Sequence, residues 1–151
     1  MTLRVHSPIP RRVLPLSEVT EPVFAHGMVG PGVALAPDPT VGAALSPVTG
    51  TVVMLHLHAV IVTTPGAAAV LVHLGIDTVT LRGQGFTPHA VTGDTVCTGQ
   101  PVISWDSAAV TASGRSALCP VIALDVTTTH LLRWHHPGPI AAGDPLFEWR
   151  R

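Results

Sequence analysis

The sequence contains no lysine and no tyrosine, and aromatic residues make up only 4% of its 151 positions. Without a lysine amine there is nothing to which a lipoyl or biotinyl group could be attached, so carriers of that kind are excluded although they too are small β proteins rich in Gly-Asp and Gly-Gln turns. Charge is equally sparse. Charged residues make up 11%, and eight arginines against nine acids give a formal net charge of −1. No basic cluster stands out, which argues against nucleic acid as a partner. The two cysteines, Cys97 and Cys119, form no C-x-x-C motif and no disulfide framework, so reduced thiols are expected. The longest apolar run, Val52 to Val62, is interrupted by His56 and His58 and falls short of the roughly 20 residues that a membrane-spanning helix needs. The N-terminus lacks the basic, apolar and small-residue order of a secretory signal. No direct membrane insertion and a cytoplasmic location are therefore expected.

Hydrophobic residues, in contrast, make up 46%, enough for one core-forming domain over residues 1–151. Fifteen prolines and fourteen glycines break the chain every few residues and leave little room for long helices. Between the breaks lie short runs rich in Val, Ile, Leu and Thr: 33–36, 51–55, 59–64, 70–74, 78–82, 101–105 and 120–126. Their composition predicts strands. The fold class is accordingly all-β, an antiparallel β-sandwich or flattened barrel, with short helical turns at most near 17–19 or 40–44. Two weak echoes suggest related halves. Ser7-Pro8-Ile9 resembles Ser46-Pro47-Val48, and Gly93-Asp94 leading to Trp105 resembles Gly143-Asp144 leading to Trp149.

Nine histidines are the unusual surplus, since imidazole is the side chain whose ordinary pKa lies near neutrality. Two strand-like runs flank Pro65-Gly66, and a hairpin centred there places His58 directly opposite His73. Directly opposed side chains have Cβ atoms about 4.5–5.5 Å apart, near enough to share one ligand. A facing pair of neutral imidazoles suits a nucleophile with a stabilising neighbour, a metal site, or a merely wet polar face. If the strand continues, His56 shares the face of His58, and the three histidines could hold zinc with one position open.

The residues that surround this pair resemble the enzyme IIA component of the glucose-type bacterial phosphotransferase system. The matching text is Leu16-Ser17-Glu18-Val19, Pro22-Val23-Phe24-Ala25, Gly27-Met28-Val29-Gly30 and Ser46-Pro47-Val48-Thr49-Gly50-Thr51-Val52. It continues with His58-Ala59, Val72-His73-Leu74-Gly75-Ile76-Asp77-Thr78-Val79, Gly83-Gln84-Gly85-Phe86, and Gly93-Asp94 with Gly99-Gln100. Collinear matches run from about Val5 to Trp149. The resemblance implies a β-sandwich of the duplicated hybrid motif type that works as a phosphohistidine relay. By motif, His73 would accept a phosphoryl group from the small carrier HPr and pass it to a cysteine in the IIB domain of a membrane sugar permease. His58 would stabilise the phosphoryl group, and the Gly75 carbonyl would hold Nδ1 of His73. Asp77 would orient an imidazole, receive a partner's arginine, or simply cap a turn. The glycines of this region would let a partner's backbone approach. No cofactor is required, with zinc at the histidine pair as an added possibility.

The chain departs from the family pattern in four places. Gly30-Pro31-Gly32 stands where Gly-Asp-Gly is common, the stretch from Gly50 to His58 is short, and His56 replaces a common threonine. Leu71 and Leu74 stand where docking-face phenylalanines are expected, keeping an apolar patch. Two other functions compete. His73-x-x-x-Asp77 and His56-x-His58 carry the ligand spacings of lysostaphin-type zinc endopeptidases, though in reversed order. A non-catalytic regulator that binds other enzymes is the second.

Overall fold

The computed structural model describes residues 2–38, 41–66, 68–124 and 131–150. The strands are β1 (Thr2–His6), β2 (Arg11–Pro15), β3 (Gly32–Ala36), β4 (Val41–Leu45), β5 (Gly50–His56), β6 (Ala59–Thr63) and β7 (Ala69–His73). They continue as β8 (Phe86–Pro88), β9 (Thr95–Val96), β10 (Pro101–Asp106), β11 (Cys119–Leu124), β12 (Leu131–Trp134), β13 (Gly138–Ile140) and β14 (Pro145–Arg150). Helices are short: α1 (Pro22–Ala25), α2 (Ser107–Ala112), and single 3-10 turns at Leu16–Glu18 and Thr78–Leu81. None is long and apolar enough to cross a membrane.

Eight strands form the main sheet in the order β13-β2-β3-β11-β7-β6-β5-β9, and two three-stranded sheets, β1-β14-β12 and β4-β10-β8, complete the structure. The alternation of the pleat sorts the main sheet's side chains between two faces. Val33, Leu35, Val60, Val62, Val70, Val72, Cys119 and Val121 point into a continuous core shared with Ile103, Trp105, Phe147 and Trp149. Ala59, Leu71 and Ile122 lie on the opposite face, partly covered by Leu16, Phe24, Val29 and Met54. His73, two residues after Leu71 on β7, belongs to this outer face, where Phe24 of α1 packs on its ring.

The echoes in the sequence correspond to a duplication. The hydroxyls of Ser7 and Ser46 each donate to the carbonyl two residues on, both at 2.7 Å. The two copies also clasp each other, His6 N–H to Pro47 O at 2.9 Å and Leu45 N–H to Pro8 O at 2.8 Å. β1 pairs with β14 as β4 pairs with β10, with the register shift in the same place. The bonding corrects one echo. Gly143 N–H donates to Ser7 O as Gly99 N–H donates to Ser46 O, so Gly143-Asp144 corresponds to Gly99-Gln100, not to Gly93-Asp94.

Most expected strands are present, with three differences. Residues 78–81 form a 3-10 turn, because Asp77 and Arg82 at its two ends adopt left-handed backbone angles that no strand accommodates. Residues 41–45 are strand β4 instead of a helical turn, since pairing with β10 outweighs the weak helical signal of Gly42-Ala43-Ala44. Helix α2 went unanticipated: the Asp106 carboxylate accepts the Ala109 N–H at 3.0 Å as an N-cap directly after a strand. Thr40, Asp125, Val126 and His130 lie outside the described residues.

Candidate active site

Two successive hairpins and the loop after β7 build the site. In the first hairpin His56 pairs with Ala59, leaving Leu57 and His58 as the two-residue turn. In the second, Ala59 pairs with His73 and Thr63 with Ala69. This register is one residue from the expected one, because Thr64 N–H bonds Ala68 O and lengthens the loop beyond Pro65-Gly66. His73 therefore stands opposite Ala59, not His58. Strand alternation would then send the two histidines to opposite faces. They meet nonetheless, because His58 lies in the turn and is released from the alternation.

The rings of His58 and His73 lie 5.1 Å apart at 69°, edge to face. A backbone bond between the two segments, Leu74 N–H to His58 O at 2.8 Å, holds them in that relation. The Gly75 carbonyl accepts from Nδ1 of His73 at 2.6 Å. A carbonyl can only accept, so Nδ1 carries the hydrogen and the Nε2 lone pair is free. Burial lowers the pKa of His73, against the opposing pull of the Gly75 carbonyl and the Asp77 charge. Burial likewise lowers that of His58, helped by the proximity of His73 and His56. Both imidazoles are neutral near pH 7, which is the nucleophilic state.

The remaining expected residues divide. Gly75 is not an opening for a partner but a tight cradle: a Cβ there would meet Thr78 Cγ2 at 2.7 Å and Ser116 O at 3.1 Å. Gly83 is similarly occupied, by Leu57, whereas Gly85 does face open space. Asp77 is exposed at the N-cap of the 3-10 turn, where its carbonyl and not its carboxylate accepts from Thr80, and its charge opposes the lowering of the His73 pKa. His56 is exposed and stacks on His58 at 6.1 Å with planes 12° apart. Among the described residues no three His, Cys, Asp or Glu side chains gather where they could hold a metal. The three-histidine set rested on β5 continuing through His58, and the turn at Leu57 ends it. Leu71 and Leu74 are buried, Leu74 completely within the main core, so neither forms a docking patch. Val23 of α1, Met28 after it and Val79 of the 3-10 turn are exposed large hydrophobics. His26 is exposed after α1, and His6 and His89 bond to Gly143 O and Ser104 Oγ, away from any reactive role.

Sequence reasoning gave no role to Phe24, whose ring lies 5.3 Å from that of His73, or to Arg82. Arg82 lines a groove of about 480 Å³ with His56, His58, Leu57 and Val79. Its place just before Gly83-Gln84-Gly85 was the available signal.

Comparison with known proteins converges on one family. The family model described as phosphoenolpyruvate-dependent sugar phosphotransferase system, EIIA 1, matches residues 3–129. A glucose-specific EIIA component of Oceanobacillus iheyensis is 41% identical over 122 residues, covering 80% of this chain and 73% of that protein. A β-glucoside-specific EIIBCA component of Bacillus subtilis is 42% identical over 120 residues, 78% of this chain but 19% of the longer protein. The solved structure of glucose permease IIA from Mycoplasma capricolum superposes with a TM-score of 0.90 at 27% identity, covering 98% of this chain and 96% of that one. The chain belongs to the EIIA family of the sugar phosphotransferase system.

Proposed function

We propose that His73 is the phosphoryl acceptor of this chain and His58 the group that stabilises the transferred phosphoryl. As an EIIA component the chain is a phosphotransferase that relays phosphate through a histidine to a IIB domain. The observation that carries the residue assignment is the 2.6 Å bond from His73 Nδ1 to the Gly75 carbonyl, beside a second imidazole 5.1 Å away. In the step from phospho-HPr, the Nε2 lone pair of His73 forms the new N–P bond as the donor's N–P bond breaks, and its electron pair returns to the donor imidazole. The His73 ring gains positive character, which the Gly75 carbonyl and Asp77 offset. His58 donates a hydrogen bond to a phosphoryl oxygen. Transfer of this kind needs positioning and charge stabilisation more than covalent assistance, so the reaction as proposed uses no metal. HPr and the permease IIB domain meet the same face, around Val23, Met28 and Val79, with the cytoplasm as the setting.

The test is intact mass after incubation with phosphoenolpyruvate, enzyme I and HPr. An acid-labile gain of about 80 Da, one phosphoryl group, is expected for the wild type and for His58→Ala, and none for His73→Ala. The His58→Ala phosphoprotein is expected to pass the group to a IIB domain slowly. Phosphorylation of His73→Ala at the wild-type rate would refute the assignment.

A further inference from the structure

The groove of about 480 Å³ beside His58 brings together one guanidinium and two imidazoles, those of Arg82, His56 and His58. Among the described residues no carboxylate lines it, and its other side-chain walls are the apolar Leu55, Leu57 and Val79. The two segments that build it are fixed against each other. Leu57 packs onto Gly83, where an added Cβ would stand 2.1 Å from Leu57 Cδ1. That contact seats the end of the 3-10 turn, and Arg82 with it, on the turn between β5 and β6. His56 stacks on His58 with ring centroids 6.1 Å apart and planes 12° apart, which sets the two imidazoles side by side along the groove. Arg82 also has its charge free. Arg4 and Arg11 pair with Glu148 and Asp38, and Arg115 donates to Thr80 Oγ1 at 2.7 Å. The Arg82 guanidinium has no such partner among the described residues.

We infer that this groove is a binding site for a small phosphomonoester, whose dianion is held by Arg82 while His56 and His58 donate ring N–H groups to it. The lining selects that class. A guanidinium carries a permanent charge and a fork of donors, and an imidazole in either protonation state keeps at least one N–H. A phosphate dianion has three terminal oxygens, one for each of the three side chains. The volume lies within the range of about 300–1,000 Å³ usual for small-molecule sites, more than a bare anion needs. Leu55, Leu57 and Val79 suit the carbon skeleton of an ester. Occupancy also bears on the relay, a consequence that rests on His58 as the stabilising group. The dianion engages His58 and sets negative charge beside the place where the phosphoryl group of His73 is received. Transfer of phosphoryl to a sugar hydroxyl yields a phosphomonoester, so the groove gives a product of the system a means to slow its own supply.

The test uses the full chain with glucose 6-phosphate as the ester, inorganic phosphate as the bare dianion and glucose as the uncharged control. Proton–nitrogen spectra of the imidazoles at neutral pH report binding, and single-turnover kinetics with phospho-HPr report the relay. Expected are saturable shifts of His56 and His58 with the ester, weaker binding of inorganic phosphate, and no shifts with glucose. Arg82→Asn keeps a residue that tolerates the left-handed backbone at φ +53° and should weaken ester binding about tenfold or more, because a charged hydrogen bond is lost. Arg12→Asn removes a cation from β2, which four strands of the main sheet separate from β5, and should leave binding unchanged. No shift with the ester would overturn the site, and so would an equal loss of affinity in both arginine variants, which would reduce binding to net charge. Inorganic phosphate bound as tightly as the ester would overturn the ester as occupant. Saturating ester should slow phosphorylation of the wild type severalfold, and at the same concentration should slow Arg82→Asn less, each measured against its own rate without ester. Binding without slowing would overturn the link to the relay. A wild type that carries no phosphate on His73 would overturn the relay assignment instead, and the binding spectra would still decide the site.

Discussion

Substituting Gly75 by alanine tests the cradle that holds His73, and its cost can be worked from the coordinates. Two contributions arise. An L-residue at φ +79° bears a backbone penalty of about 1–2 kcal/mol. The new Cβ would also stand 2.7 Å from Thr78 Cγ2, 3.1 Å from Ser116 O and 3.3 Å from Val110 Cγ1. Thr78 cannot swing aside, because its hydroxyl is tied to Leu74 O and its side chain is completely enclosed. Crowding of this sort costs about 1–3 kcal/mol. Gly85→Ala isolates the first contribution, since Gly85 has a φ of +87° with nothing within 4 Å of the added carbon. Urea unfolding followed by tryptophan fluorescence should therefore place Gly75→Ala about 1–3 kcal/mol below Gly85→Ala. In thermal melts that difference corresponds to roughly 2–12 °C for a domain of this size. The Gly75→Ala protein that remains folded should also accept phosphate slowly, because relief of the contacts moves the carbonyl off Nδ1. Equal destabilisation by the two substitutions, within about 0.5 kcal/mol, would mean that the loop is loose and that the cradle argument is wrong.

Acidification should weaken the fold through the two site histidines. Their native pKa values lie below the ordinary 6.5, so between those values and 6.5 the unfolded chain binds more protons than the native one. Their contribution is complete above pH 6.5 and is lost as pH falls through that window. A His58→Gln/His73→Gln protein should lose less stability between pH 7 and pH 5 than the wild type, and an equal loss in denaturant titrations would contradict the sign. His73→Gln alone should move the His58 titration upward toward 6.5 in proton spectra, because the neighbouring ring that opposes its charge is gone. Thr78→Val removes a completely buried hydroxyl that donates to Leu74 O at 2.8 Å, and should cost about 1–2 kcal/mol in urea unfolding. A neutral result would show that the Leu74 carbonyl finds another donor.

What could be read in advance followed from local chemistry. Runs of β-branched residues between prolines and glycines marked β3, β5, β6, β7, β10 and β11, because strand propensity and turn chemistry are properties of neighbouring residues. The His58–His73 meeting was legible for a partly mistaken reason. A hairpin was evident, but its register depends on how Thr64 and Ala68 close the loop, which Pro65-Gly66 alone does not reveal. Residues 78–81 misled because Thr-Val-Thr-Leu has strand composition, whereas the left-handed backbone of Asp77 and Arg82 that bounds the turn has no signature in neighbouring residue types. Leu71 and Leu74 are buried for reasons that no local signal carries: Leu71 emerges on the outer face but is covered by Leu16 and Phe24, and Leu74, just after β7, turns into the main core.

The pairing of β1 with β14 sets Thr2 beside Arg150 on adjacent strands. Residues 2 and 150 thus lie at one spot, as the two leads of a plug leave through one collar. Such a module can be hung from another polypeptide by either end, or set into the middle of one, with little change in how it is presented. Chain order becomes negotiable as well. A version with the old ends joined by a short linker and new ones opened in the exposed Pro65-Gly66 turn would keep every strand whole.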